Sequence, residues 1–90
     1  MIAVSSRIRS FVDEDGATIL DADNDKILSL NPTAGFIWSR LLAGVSPDVI
    51  TQQLADETSE PLDNVRVHFD QFIEAMKVRR FISLDARGNS

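Results

Sequence analysis

The stretch KILSLNPTAGFIW, Lys26 to Trp38, changes its hydrophobic period halfway along. Leu28 and Leu30 alternate with polar neighbours, the period of a half-buried strand. From Ala34 onward, Ile37, Trp38, Leu41 and Leu42 recur at helical spacing. Asn31 and Pro32 stand at the change. An asparagine side chain can accept a hydrogen bond from a free amide at the start of a helix, and a proline one place later lacks only an N–H that would have no partner. The pair predicts a strand, Lys26 to Leu30, that ends abruptly where a helix begins. So sharp a corner needs a reason in a short chain.

Upstream of the corner the sequence reads as strands. Arg7 to Val12 carries Ile8 between polar neighbours, and DEDG, Asp13 to Gly16, is turn chemistry. Ala17 to Leu20 is a short apolar and β-branched run, closed by the polar DADND of Asp21 to Asp25. Three short strands with tight turns predict an antiparallel meander. Downstream, the first helix should end near Ala43, with Gly44 taking the left-handed conformation beyond it. Ser46-Pro47 repeats the cap-and-proline signal and opens a second helix to about Glu57, carrying Val49, Ile50 and Leu54. Thr58 to Pro61 is a break, with Ser59 the expected cap of a third helix running to about Arg79. Its apolar stripe is Leu62, Val65, Phe69, Phe72, Ile73 and Met76. Phe81 to Leu84 is an apolar tail, and Asp85 to Ser90 is expected to fray. Strands followed by helices predict an α+β fold with the helices on one face of a small antiparallel sheet.

Ninety residues make one domain, 1–90, with its core expected over about 7–84. Hydrophobic residues at 43% and charged residues at 26% describe a globular chain. There is no cysteine, so neither a disulfide nor a thiolate metal site can staple it. No apolar run approaches the ~18 residues of a membrane span and no signal-peptide core is present, which makes the cytoplasm the expected compartment and a membrane partner unexpected. The net charge of −5 argues against a nucleic-acid partner. The one concentrated basic stretch, Lys77, Arg79 and Arg80, sits where cations complement a helix C-terminus.

Catalytic and metal chemistry find little support. Asp21, Asp23 and Asp25 are spaced like the start of a calcium loop, but Lys26 stands where that loop needs glycine and Pro32 where it needs a bidentate glutamate. A solvated turn explains them. His68 is the only histidine and has neither a cysteine nor a second histidine to complete a zinc site. No nucleophile elbow or glycine-rich oxyanion loop lies near a serine. Asp13, Glu14 and Asp15 share one turn, with nothing to separate their pKa values. No enzyme and no cofactor are expected. Trp38 falls on the core stripe of the first helix. Phe36 falls opposite that stripe, so it either marks a contact surface or covers the sheet or the termini. On the third helix Arg66, Asp70 and Lys77 follow one flank beside Phe69 and Ile73: a solvated charged flank, or a half-apolar wall facing an open strand edge.

Taken together, ILD at Ile19 to Asp21, a turn, ILSLNPTAGFIW at Ile27 to Trp38, LLAG at Leu41 to Gly44 and two further helices resemble the PqqD-like family over about Arg7 to Leu84. Its members are the precursor-recognition elements of pathways that modify ribosomally made peptides. The resemblance implies a small winged helix-turn-helix of three strands followed by three helices. It also implies that a precursor's leader binds as an added strand on the third strand, against the third helix. Carried onto this chain, the strand is Lys26, Ile27, Leu28, Ser29 and Leu30, and the wall includes Arg66, Phe69, Asp70, Ile73 and Lys77. The corner at Asn31-Pro32 would then turn the chain away and leave the strand's outer edge free. Arg80-Phe81 departs from the Gly-Leu that the family often carries at the end of the last helix. The proline- and arginine-rich N-terminus typical of the pyrroloquinoline quinone member is missing. The Ile37-Trp38 pair is more like the free-standing relatives of lasso-peptide pathways.

The expected function is therefore non-enzymatic capture of a leader and its delivery to a leader peptidase and a cyclase. A chaperone of pyrroloquinoline quinone biosynthesis is the alternative within the family, and an open edge strand also admits a homodimer. From another class, a winged-helix DNA-binding regulator would place its third helix against phosphates. Between Ser59 and Arg79, however, Glu60, Asp63, Asp70 and Glu74 outnumber Arg66, Lys77 and Arg79.

Overall fold

The computed structural model describes residues 2–84; the expected fraying of 85–90 lies outside them. Eight elements follow in order: β1 (Ile2–Val4), β2 (Ile8–Asp13), β3 (Gly16–Asp21), β4 (Lys26–Leu30), α1 (Pro32–Leu42), α2 (Pro47–Thr58), α3 (Leu62–Val78) and β5 (Ile82–Leu84). β2, β3 and β4 form the antiparallel meander, in that order, with Asp13 opposite Gly16 and Asp21 opposite Lys26 at the two turns. The fold is the α+β arrangement expected, and the bounds of β4 are those read from the sequence.

The corner forms as its chemistry dictates. Asn31 Oδ1 accepts from the Ala34 amide at 2.8 Å, and Gly35 N–H closes the first helical turn onto the Asn31 carbonyl at 2.7 Å. Ser46 Oγ accepts from Val49 N–H at 3.4 Å to start α2. Beyond α1, Gly44 takes φ +79, and the amides of Gly44 and Val45 donate back to the carbonyls of Leu41 and Arg40. This is the paired closure that a left-handed residue permits.

Ser59 plays a different part from the one expected. It sits at φ 59 and ends α2, while α3 starts after Pro61 with no side-chain cap. A proline before a helix supplies extended backbone without a capping oxygen, so the boundary is set by conformation alone.

α1 lies against β3, α2 packs on both other helices, and α3 packs on α2 and β5 rather than on the three-stranded sheet. Trp38, Ile19, Ile37, Ile50 and Val65 are completely enclosed between these layers. Phe36 is half-buried against this core, with the Arg40 guanidinium 4.7 Å above its ring. It covers the core edge, with its second face under a cation.

α1 approaches the sheet so closely that a Cβ at Gly35 would stand 2.7 Å from the Gly16 carbonyl carbon. Gly16, at φ +132, in turn faces the Leu30 carbonyl oxygen. These two glycines hold the first turn of α1 against the start of β3, beside the end of β4.

Two strands were not legible. β1 pairs with β5 as a separate antiparallel ribbon, Ile2 opposite Leu84. The tail expected at Phe81 to Leu84 is thus a strand, and Phe81 and Ile82 are buried. The chain reaches that strand through Arg80 at φ 63, whose amide donates to Lys77 while that of Phe81 donates to Met76. It is the same closure as at Gly44, made by a residue that carries a Cβ. This is the physical content of the Arg80-Phe81 departure. Arg80→Gly is expected to stabilise the protein by about 1 kcal/mol, because glycine meets no Cβ penalty in the left-handed region. Urea unfolding measures it; a destabilised Arg80→Gly would mean that the Arg80 side chain matters more than its backbone.

Candidate functional site

β4 has β3 on one side only; among the described residues no strand pairs with its other edge. Successive side chains of a strand point to opposite faces, and here Leu28 and Leu30 pack against the core while Ile27, 73% exposed, and Ser29 face outward. Lys26 is exposed. The main-chain groups along this edge are an unused pairing surface.

A concavity opens at each end of the edge, and α3 walls both. Near Lys26, a cleft of about 370 Å³ is lined by Asp21, Asn24 and Lys26 on one side and by Val78, Arg79 and Phe81 on the other. Near Asn31, a second of about 360 Å³ lies between the start of α1 and the residues Val65, His68 and Phe72 of α3. β4 therefore runs antiparallel to α3. The lengths agree: Lys26 to Asn31 spans about 17 Å of strand, and His68 to Arg79 about 16 Å of helix. Phe72 is half-buried and rests edge-on against Trp38, ring centroids 6.4 Å apart.

The α3 residues expected as the wall line neither of these two concavities. Phe69 and Ile73 are 5% and 9% exposed and belong to the core. Arg66 and Asp70 are exposed, and neither lines either concavity. Lys77 lies 3.6 Å from Glu74 and lines a separate hollow beside the β1–β5 ribbon. The structure keeps Lys26 to Leu30 together as one open edge, and the concavities beyond its two ends are lined by His68 and Phe72 and by Arg79, not by Arg66 or Asp70. His68 and Phe72 had a sequence signal: they sit four apart on the opposite shoulder of the apolar stripe.

Arg7 and Asp21 were also missed. Asp21 Oδ2 accepts from Arg7 Nη2 at 3.2 Å and from Asn24 Nδ2 at 2.9 Å. Arg7 further donates to the carbonyls of Arg80 at 3.0 Å and Arg79 at 3.4 Å. One guanidinium therefore ties the end of β3 to the end of α3 and fixes the width of the cleft near Lys26. The Asn24 amide is the main influence holding the Asp21 carboxyl below its ordinary value of 3.8; burial opposes it and Arg7 adds to it. A carboxyl whose folded pKa is depressed contributes stability above its unfolded value, and that contribution is lost as the pH falls through the folded one. Wild type should accordingly lose stability below about pH 4 more steeply than Asp21→Asn, read from unfolding midpoints between pH 6 and pH 2. Parallel curves would remove Asp21 from the acid response.

A search of curated protein sequences finds no match. Among solved structures, TbiB1 in complex with the TbiA(β) leader peptide superposes with a TM-score of 0.83 at 21% identity, over 89% of this chain and 93% of that one. Lasso peptide synthetase B1 complexed with the leader peptide gives a TM-score of 0.83 at 23% identity, over 92% of this chain and 98% of that one. At these identities the likeness is one of fold. The family model of coenzyme PQQ synthesis protein D (PqqD) matches residues 16–82, from the first residue of β3 to the first of β5. The chain belongs to the PqqD family.

Proposed function

We propose that this protein binds the leader of a ribosomally made precursor peptide, as an added strand on β4, and does no chemistry itself. The observation that carries the reading is the open edge of Lys26 to Leu30, with α3 walling a concavity at each end. Main-chain hydrogen bonds along such an edge supply affinity, and pockets for alternate side chains supply specificity. The two solved proteins of the same fold were each captured with a leader peptide. In this reading α2 and α3 are the helix pair and the β2–β3–β4 meander the wing of a winged helix-turn-helix turned to peptide binding.

The role is delivery, of the lasso-peptide type. A binder that engages both precursor and enzyme raises the effective concentration of one near the other without new catalytic groups. The clients are a leader peptidase and a cyclase. The description of the family model favours a second reading, in which the client belongs to pyrroloquinoline quinone synthesis. A second copy of the chain competes for the same edge when leader is absent.

Purified protein is mixed with full-length precursor from either kind of pathway, with and without the matching enzyme. Precursor unchanged by the protein alone, together with much faster processing of the lasso-type precursor when the protein is added to its peptidase, supports the reading. Acceleration confined to the pyrroloquinoline quinone precursor selects the second. Equal rates with and without the protein in both systems remove the delivery role.

A further inference from the structure

A hollow of about 710 Å³, nearly twice the volume of either concavity beside β4, lies against the β1–β5 ribbon. Ser5, Ser6 and Ser83 line it with hydroxyls, Lys77 and Arg80 line it with cations, and no carboxylate among the described residues does so. It shares no lining residue with the concavities at the ends of β4. Ser5 Oγ accepts from the Arg7 amide at 3.3 Å and from Arg7 Nη1 at 3.2 Å, so what it has left to offer is its O–H. Two cations and three hydroxyls that can donate favour an anionic visitor.

Cations at a helix C-terminus ordinarily complement its dipole, but this terminus is served by other groups. The carbonyls of Ala75, Met76 and Lys77 accept from the amides of Arg79, Phe81 and Arg80, and the carbonyls of Arg79 and Arg80 accept from Arg7. Capping thus falls to the main chain and to Arg7, which leaves the side chains of Lys77 and Arg80 to the hollow. Lys77 lies 3.6 Å from Glu74, whose side chain is 70% exposed. Such a surface pair contributes little, and an arriving carboxylate can replace it.

Two cations are too few for a nucleic-acid backbone, whose binders neutralise roughly six to ten phosphates. The net charge of −5 also repels a long polyanion. One inorganic anion would leave most of the hollow empty. A short acidic segment of a protein matches both charge and size, with carboxylates on Lys77 and Arg80 and main-chain carbonyls on the hydroxyls. Delivery requires that an enzyme be held while the leader occupies β4, and this hollow uses none of the residues at that edge.

We propose that the hollow beside the β1–β5 ribbon is a docking site for an acidic segment of the client enzyme. The inference rests on the delivery reading and assigns a surface to its second partner.

The test follows processing of a lasso-type precursor by its peptidase at about 0.15 M salt. It compares wild type with Lys77→Gln/Arg80→Gln and with the conservative Lys77→Arg/Arg80→Lys, each checked for folding by circular dichroism. The glutamine pair should need about tenfold more protein for half-maximal acceleration, and the conservative pair about as much as wild type. Leader affinity by calorimetry should change less than about threefold in both. A glutamate-rich decapeptide should suppress the wild-type acceleration, whereas a glutamine-rich one and inorganic phosphate should not. This competition decides even where a variant does not fold. Equal acceleration by wild type and the glutamine pair would overturn the docking site and leave delivery standing. So would suppression by phosphate as strong as by the acidic peptide, or a wild-type self-association, read by sedimentation, that the glutamine pair abolishes. No acceleration by wild type would overturn delivery itself and the docking role with it.

Discussion

Gly16→Ala is expected to destabilise the protein by about 3 kcal/mol or more, a large part of the roughly 5–13 kcal/mol available to a domain of this size. Two costs combine there. The residue holds φ +132, where a side chain is strained, and its Cβ would be driven into the Leu30 carbonyl, which is main chain and cannot rotate aside. Gly44 separates the two costs, because it has φ +79 and nothing within 4 Å of its would-be Cβ. Gly44→Ala should therefore cost only about 1 kcal/mol. Gly35→Ala should fall between them: alanine favours a helix by about 1 kcal/mol, but its methyl would meet the Gly16 backbone. Urea midpoints for the three variants give the ranking. If Gly16→Ala and Gly44→Ala prove equal, the close approach of α1, the start of β3 and the end of β4 contributes nothing.

Phe72→Ala is expected to weaken binding of a cognate leader by roughly thirtyfold, the effect of removing a central anchor worth about 2 kcal/mol. Phe72 lines the cavity beside Asn31, beyond the end of β4, and is braced by Trp38, so it presents a rigid apolar surface there. Arg66→Ala and Lys77→Ala should change affinity less than about threefold, because the first side chain is exposed outside both concavities and the second faces the ribbon. Ile73→Ala belongs to another class. At 9% exposure Ile73 is core, and its truncation should cost about 2–5 kcal/mol of stability, with any loss of binding following from unfolding. Calorimetry on variants shown to be folded decides. A large effect of Arg66→Ala with a small one of Phe72→Ala would place the peptide on the opposite flank of α3.

That flank marks where the sequence stopped being informative. The apolar stripe of α3 was legible because helical periodicity fixes which residues share a face, and Val65, Phe69, Ile73 and Met76 are indeed buried. The stripe has two shoulders, though, one bearing Arg66, Asp70 and Lys77 and the other His68 and Phe72. Periodicity gives angles around the helix axis and says nothing about which shoulder tertiary packing turns toward β4. The corner at Asn31 was legible for the opposite reason, since capping and proline chemistry act within four residues. Lys26 to Leu30 was legible because its alternation and its abrupt end are equally local.

The β1–β5 ribbon and the Arg7 clamp were hidden by distance along the chain. Ile2 to Val4 and Ile82 to Leu84 are three-residue strands at opposite ends of the sequence, too short to show a period of their own. Arg7 reads as an exposed cation until the carbonyls of Arg79 and Arg80 are placed beside it. Asp21 read as one of several turn aspartates for the same reason. Its pairing with Arg7 crosses the meander, and composition carries no trace of it.

Strand addition is tested most directly by amide hydrogen exchange with and without a cognate leader peptide. The outer-edge amides of Lys26 to Leu30 have no partner strand among the described residues and should exchange readily in the free protein. Saturating leader should slow exchange in residues 26–30 by tenfold or more, with lesser slowing in α3 near His68 and Phe72. Protection confined to the helices, with residues 26–30 exchanging as fast as before, would contradict the account.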